Sequence, residues 1–204
     1  LVYFIVKMYK LGITGGIGSG KSTATEFFMR KGAVVFDADE EAKHYIQKTE
    51  SLQKLIIHNF GSQIITNNHL DLNKLSDIAF SSENSQKRLN DIVWPEVYHI
   101  LQNAANKAER KSTKLFLVDA ALLFEAGLIE YFNSILLITA EKSVRHKRIL
   151  LRGNIPENQI EKRMALQMPE SQKKKLAHTT IENNGDVAEL YVKLEFFWEK
   201  LNII

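Results

Sequence analysis

One run of residues constrains this chain more than any other: Gly15-Gly16-Ile17-Gly18-Ser19-Gly20-Lys21-Ser22, followed by Thr23. It satisfies the spacing G-x-x-x-x-G-K-[ST]. At a background of about 7% glycine, these fixed positions recur by chance in roughly one chain per hundred of this length. The flanks add to the signal. Tyr9–Thr14 reads as a short strand before the run. Ser22–Lys31 reads as a helix after it, with Ala24, Phe27 and Phe28 at i, i+3, i+4 and Gly32 as its stop. Such a loop turns consecutive backbone N–H groups inward onto phosphate oxygens, and the helix start adds its positive dipole end. The Lys21 ammonium reaches β- and γ-phosphates, and the Ser22 hydroxyl is a ligand for Mg²⁺. The nucleotide-binding set is therefore Gly16, Ile17, Gly18, Ser19, Gly20, Lys21, Ser22 and Thr23. The plainer alternative is a glycine-rich strand–helix turn without a ligand. A dinucleotide loop, G-x-G-x-x-G, needs a different glycine placement and has no use for Lys-Ser.

Ala33–Phe36 is a second short apolar run, so strand, helix and strand follow within thirty residues. That is a βαβ unit, which predicts a parallel sheet with a right-handed crossover. The middle of the chain has helical periodicity. Leu52, Leu55, Ile56 and Phe60 share one face closed by Gly61, and Leu72, Leu75, Ile78 and Ala79 share another. A longer pattern runs from Leu89 to Ala105, where Pro95 predicts a kink or a restart. Strands return at Leu115–Val118 and Ile135–Thr139, with a weaker one at Thr179–Ile181. Helices are expected over Lys142–Leu151 and from about Val187 to Leu201. Tyr191, Phe196, Phe197 and Trp198 in the last helix fit core packing better than a cofactor platform. The expected fold is an open parallel α/β sheet with an all-helical subdomain inserted near residues 40–108.

Asp37 and Asp39 stand where the second strand should end, on the side of a parallel sheet where ligands bind. At i and i+2 they share one direction if the strand continues. One of them is then placed to accept a proton from an attacking hydroxyl. Asp39 before Glu40-Glu41 reads equally as a helix N-cap. Residues 142–175 carry ten basic side chains against three acidic ones, although the whole chain is only +3. Phosphoryl transfer needs cations over the migrating group, and Arg148 and Arg152, one helical turn apart, are the candidates. Gly153-Asn154 and Pro156 mark a possible hinge, while Lys173–Lys175 read as a solvated surface. Asp119, after the third strand, is placed either to hold Mg²⁺ or to cap the next helix.

Other chemistries find little support. The chain has no cysteine, which excludes thiolate catalysis, disulfides and Cys-ligated zinc. Its six histidines lack metal-ligating spacing. Asn73-Lys74-Leu75-Ser76 lacks the final Asp of a guanine-recognition motif. A charge of +3 does not by itself imply nucleic acid or a membrane. Leu1–Val6 is far shorter than the ~20 residues that span a bilayer, and it lacks the pattern of a signal peptide. These features predict a soluble, cytoplasmic protein. The rival readings are another kinase on the same core, an ATPase acting on a macromolecular partner, and a non-catalytic nucleotide-binding module.

The sequence resembles the dephospho-coenzyme A kinases from about Tyr9 onward. The resemblance rests on Thr14–Thr23, Asp37-Ala38-Asp39, Phe60-Gly61, Leu70-Asp71, Leu89-Asn90, Asp119 with Leu122-Leu123-Phe124-Glu125, Arg163 to Gln167, and Asn183-Asn184-Gly185. It implies a three-layer α/β P-loop kinase core with a parallel sheet (about 8–39, 110–148 and 176–204). It also implies an inserted helical acceptor-binding domain (about 40–109) and a lid (about 149–175). ATP with Mg²⁺ is the implied donor, and the ribose 3′-hydroxyl of dephospho-CoA is the implied acceptor. Asp39 occupies the position of the family's proposed base. The expected partner is thus a small molecule rather than nucleic acid or a membrane, with the chain a monomer or weak homo-oligomer. Four positions depart from the family pattern: Trp94 where His usually precedes Pro95, Lys43 in place of Arg, Ala121 in place of Pro, and Gly153 where Asp usually follows Arg152.

Overall fold

A computed structural model describes residues 7–153 and 156–201, so the readings on Leu1–Val6 and Asn154 lie outside it. In chain order the elements begin with β1 (Tyr9–Gly15), α1 (Lys21–Arg30), β2 (Val34–Asp37), α2 (Ala38–Lys48) and α3 (Glu50–Phe60). A hairpin of β3 (Ile65–Thr66) and β4 (His69–Leu70) precedes α4 (Leu72–Ala79), α5 (Glu83–Arg110), β5 (Leu115–Asp119) and β6 (Ser134–Thr139). The chain continues through α6 (Lys142–Arg152), α7 (Glu157–Ala165), α8 (Glu170–Leu176), β7 (Thr179–Glu182) and α9 (Val187–Lys200).

Five strands form a sheet in the order β2-β5-β1-β6-β7, and every neighbouring pair is parallel. Parallel neighbours need crossovers, which the helices supply on both faces. Strand alternation sorts the core into two layers. Leu11, Ile13, Leu115, Leu117, Leu136 and Ile138 meet Phe27 and Phe28 of α1 and Leu190, Leu194 and Phe197 of α9. Phe36, Phe116, Val118 and Ile135 face the other way, onto Leu101, Ala105 and Ala108 of α5. Strands β5 and β6 are buried along their whole length, which explains their uninterrupted apolar sequence. This is a three-layer α/β fold.

Two readings change in detail. Pro95 does not restart the long helix, because α5 runs through it for 28 residues. Pro95 and Asp91 lie on the exposed face, so the carbonyl left without a donor is open to water. In α3, Leu52, Ile56 and Phe60 are buried at i, i+4, i+8, whereas Leu55 sits on the exposed flank. The last helix packs through Tyr191, Phe197 and Trp198 against Phe27 and Phe28. Phe196 does not join them; it is exposed, with the Lys200 ammonium 4.0 Å above its ring.

Candidate active site

The site lies at the carboxyl ends of β1, β2 and β5, where a parallel sheet presents the starts of its helices. The chain leaves β1 at Gly15, whose Cα passes so close to the Ile138 carbonyl that a side chain would collide with it. It enters α1 through Gly20, whose φ of 99° lies in the left-handed region. The Gly20 position also abuts the amide of Asn183, which donates to the Ser19 carbonyl at 2.7 Å. The Ser19 N–H closes a turn onto the Gly16 carbonyl at 2.9 Å. Among the described residues, the amides of Gly18, Gly20, Lys21 and Ser22 have no acceptor within the protein, as the open end of a helix requires. They are the donors available to an anion.

Lys21 stands at the first turn of α1 with its ammonium between two carboxylates. It pairs with Asp119 at the end of β5 and lies 3.4 Å from Asp39. Thr25, one turn along α1, donates its hydroxyl to the second Asp119 oxygen at 2.6 Å. Burial pulls the Lys21 ammonium downward, but Asp39 and Asp119 outweigh it and hold its pKa above the ordinary lysine value. Burial pushes the Asp119 carboxyl up, against the opposing pull of Lys21 and Thr25. Lys21 is therefore a fixed positive charge at neutral pH.

The two carboxylates after β2 part company. The strand ends at Asp37, so Asp37 and Asp39 do not share a strand face as the i, i+2 reading required. Asp37 is the N-cap of α2, accepting from the amides of Asp39 at 3.1 Å and Glu40 at 3.0 Å. Asp39 is thereby released from capping. Its carboxylate faces Lys21 and accepts from the Ala121 amide at 3.1 Å.

These residues line one end of a cleft of about 640 Å³, within the usual range for small-molecule sites. Its other walls are mostly apolar and come from the 40–109 helices, including Ile46, Leu75, Phe80, Val93 and Val97. Lys43, Arg152 and Arg163 bring positive charge to it. Arg148 does not reach the cleft. Its guanidinium donates to the carbonyls of Asn183 at 2.9 Å and Gly185 at 2.8 Å, so it braces the turn that holds the phosphate loop from behind.

Three contributors escaped the sequence reading or entered it only by resemblance. Arg145 lies over Gly16 and pairs with Glu170 at 3.6 Å; in a run of ten cations nothing singles it out. The Gln167 side-chain oxygen accepts from the Ile17 amide at 2.9 Å, which docks the end of α7 on the phosphate loop. Lys173 is not solvated but 1% exposed, with its nearest carboxylate oxygen, on Glu125, at 3.9 Å. Burial lowers its pKa.

The donors facing the loop are all oxygens: the Ser22 hydroxyl in the cleft wall and the carboxylates of Asp39 and Asp119 around Lys21. Among the described residues, no group of three His, Asp or Glu side chains could hold a metal ion unaided. The set fits magnesium, a hard ion that takes its remaining ligands from phosphate oxygens and water. Among the described residues no helix is long and apolar enough to cross a membrane.

A glycine-rich loop opening a helix, with a lysine between carboxylates at the carboxyl ends of parallel strands, is the nucleotide-binding core of the P-loop fold that P-loop kinases share. The neighbours among solved structures agree on the fold. A protein from Thermus thermophilus superposes with a TM-score of 0.80 at 29% identity, covering 96% of this chain and 98% of that one. A dephospho-CoA kinase from Campylobacter jejuni gives a TM-score of 0.64 at 23% identity, covering 94% and 96%. A shikimate kinase from Acinetobacter baumannii gives 0.58 at 16%, covering 98% of each chain. The family profile of dephospho-CoA kinase matches residues 9–189. The dephospho-CoA kinase of Fusobacterium nucleatum is 35% identical over 192 residues, 94% of this chain and 97% of that protein. The one from Geobacillus kaustophilus is 35% identical over 176 residues, 86% and 88%. The chain belongs to the dephospho-CoA kinase family.

Proposed function

We propose that this chain transfers the γ-phosphoryl group of ATP to the ribose 3′-hydroxyl of dephospho-CoA, giving coenzyme A and ADP. The observation that carries this reading is the convergence of Lys21 and the uncapped Asp39 where the phosphate loop meets the cleft. Family membership supports the acceptor.

The free amides of Gly18, Gly20, Lys21 and Ser22 and the Lys21 ammonium bind the β- and γ-phosphates. The Ser22 hydroxyl would hold magnesium together with the nucleotide, and the ion would supply charge neutralisation for the transferring group. The Asp39 carboxylate, fixed by the Ala121 amide, orients the acceptor hydroxyl and takes its proton. The hydroxyl oxygen bonds to the γ-phosphorus, the bond from that phosphorus to the bridging oxygen breaks, and ADP leaves with the electron pair. Arg152 and Arg163 reach the cleft and neutralise the phosphates, while Arg148 keeps the phosphate loop in place. On this reading residues 8–39, 110–148 and 176–204 are the nucleotide core. Residues 40–109 bind the acceptor, and 149–175 form a lid anchored through Gln167.

The test is product identity. Incubation with ATP, Mg²⁺ and dephospho-CoA should give a new phosphomonoester on the ribose 3′-oxygen by phosphorus NMR. ADP release at the same rate with and without dephospho-CoA would overturn the proposal.

A further inference from the structure

A second, smaller cavity of about 210 Å³ also reaches the phosphate loop at Gly16. Its walls come from the first turn of α6 (Lys142, Arg145), from α7 (Glu161, Met164) and from residues 167–173. It is smaller than the roughly 300–1,000 Å³ of sites for drug-sized ligands, so its occupant is small. Two of its cations lack the acceptors that buried cations need. The Lys173 ammonium is covered from bulk water and has no hydrogen-bond partner among the described residues; its approach to Glu125 is 3.9 Å. The Arg145 guanidinium lies where a side chain on Gly16 would stand and reaches Glu170 at 3.6 Å, while its Nε is likewise buried without a partner. Lys142 and Glu161, by contrast, satisfy each other at 2.5 Å.

A buried cation without an acceptor destabilises a fold, and a ligand that completes it removes the penalty. Burial holds the Lys173 pKa down, and Arg145 and Lys21 push the same way against Glu125 and Glu170. Cations that repel one another across a small space are relieved by an anion placed between them. Of the five charged side chains in the walls, three are positive and two negative. We propose that Arg145 and Lys173 bind a phosphate-sized oxyanion in this cavity. Two sources supply that chemistry: the terminal phosphate of a nucleotide seated on the loop, and free inorganic phosphate. The first rests on the nucleotide assigned above; the second does not. Entry is by exchange at Gln167, which lines both this cavity and the cleft and whose side-chain oxygen rests on the Ile17 amide at 2.9 Å. An oxyanion has the same acceptor chemistry as that oxygen, so one replaces the other without leaving the amide unpaired.

The test is calorimetric titration of the full chain with three probes: a non-hydrolysable ATP analogue with Mg²⁺, ADP with Mg²⁺, and inorganic phosphate added to the ADP-loaded chain. Lys173→Met and Arg145→Gln are compared with the unsubstituted chain, after urea unfolding shows that each is folded. If the terminal phosphate is the occupant, both variants bind the analogue about ten-fold more weakly and ADP as before, through loss of a charge-assisted hydrogen bond. If free phosphate is the occupant, both keep their affinity for the analogue and ADP, and lose the saturable phosphate binding that the unsubstituted chain shows. Lys147→Met removes a charge from the exposed face of the same helix and should alter none of these. Three results would overturn the proposal: unchanged binding of every probe by Lys173→Met and Arg145→Gln, equal losses for the analogue and ADP, or the same loss in Lys147→Met. Should Lys173→Met fail to fold, Arg145→Gln and the phosphate titration of the unsubstituted chain decide alone. No readout involves dephospho-CoA, so the acceptor assignment stands or falls separately.

Discussion

Replacing Asp39 with Asn separates chemistry from folding. Asn keeps an oxygen for the Ala121 amide, so the local hydrogen bond at 3.1 Å survives. The lost charge faces Lys21 at 3.4 Å from a side chain that is 49% exposed. Solvent screens such a pair, which limits its stability contribution to about 1 kcal/mol or less. The lost base costs far more, roughly 10²–10⁴ in turnover. Asp37→Ala reverses the balance, because Asp37 rather than Asp39 satisfies the two orphan amides at the start of α2. Its loss should cost about 1 kcal/mol of stability. The assay is ADP release at saturating substrates, coupled to a dehydrogenase readout, beside urea unfolding of each variant. The reasoning is refuted if Asp39→Asn turns over within a few-fold of the original chain. A larger stability loss for Asp39→Asn than for Asp37→Ala would also refute it.

Lys21→Ala should abolish turnover and leave the buried Asp119 with only Thr25 as partner. The Asp119 carboxyl, already raised by burial, rises further above its unfolded value. Such a group weakens the fold when ionised, and the penalty fades as pH falls through the folded value. The stability deficit of Lys21→Ala should therefore narrow as pH falls toward the ordinary aspartate range of about pH 4 in urea unfolding; a constant deficit would contradict this. Tyr131 is pushed up to about 12 by burial, so an alkaline titration by ultraviolet absorbance should show one late tyrosine that Tyr131→Phe removes. Its contribution is present below the ordinary tyrosine range and is lost as pH rises through the folded value. Lys173→Met should leave stability unchanged or improved, because a buried ammonium with no hydrogen-bond partner among the described residues is costly to keep. A marked loss would mean that its approach to Glu125 matters more than its desolvation.

Local signals in the sequence carried much of the fold. The phosphate-loop spacing, the apolar runs of β1, β5 and β6, and the periodicity of α1 and α9 are legible because each depends on neighbours within a few residues. The insertion of β5 between β1 and β2 is not local, since it depends on which apolar faces fit together in space. The β3–β4 hairpin went unread because Asn67 and Asn68, with φ of 51° and 63°, take the left-handed turn positions without a glycine. The pair Asp37 and Asp39 shows the limit most clearly. Composition and spacing left base and cap interchangeable, and only the end of β2 at Asp37 separates them. Arg145, Arg148 and Arg152 are alike in sequence, and their contacts diverge because one meets Gly16, one the Asn183 turn and one the cleft.

The most direct measurement is a crystal structure with a non-hydrolysable ATP analogue, Mg²⁺ and dephospho-CoA bound together. The γ-phosphate should lie on the amides of Gly18, Gly20, Lys21 and Ser22, and the ribose 3′-oxygen within hydrogen-bond reach of Asp39, in line with the γ-phosphorus. A 3′-oxygen out of reach of Asp39, or a triphosphate outside the loop, would contradict it.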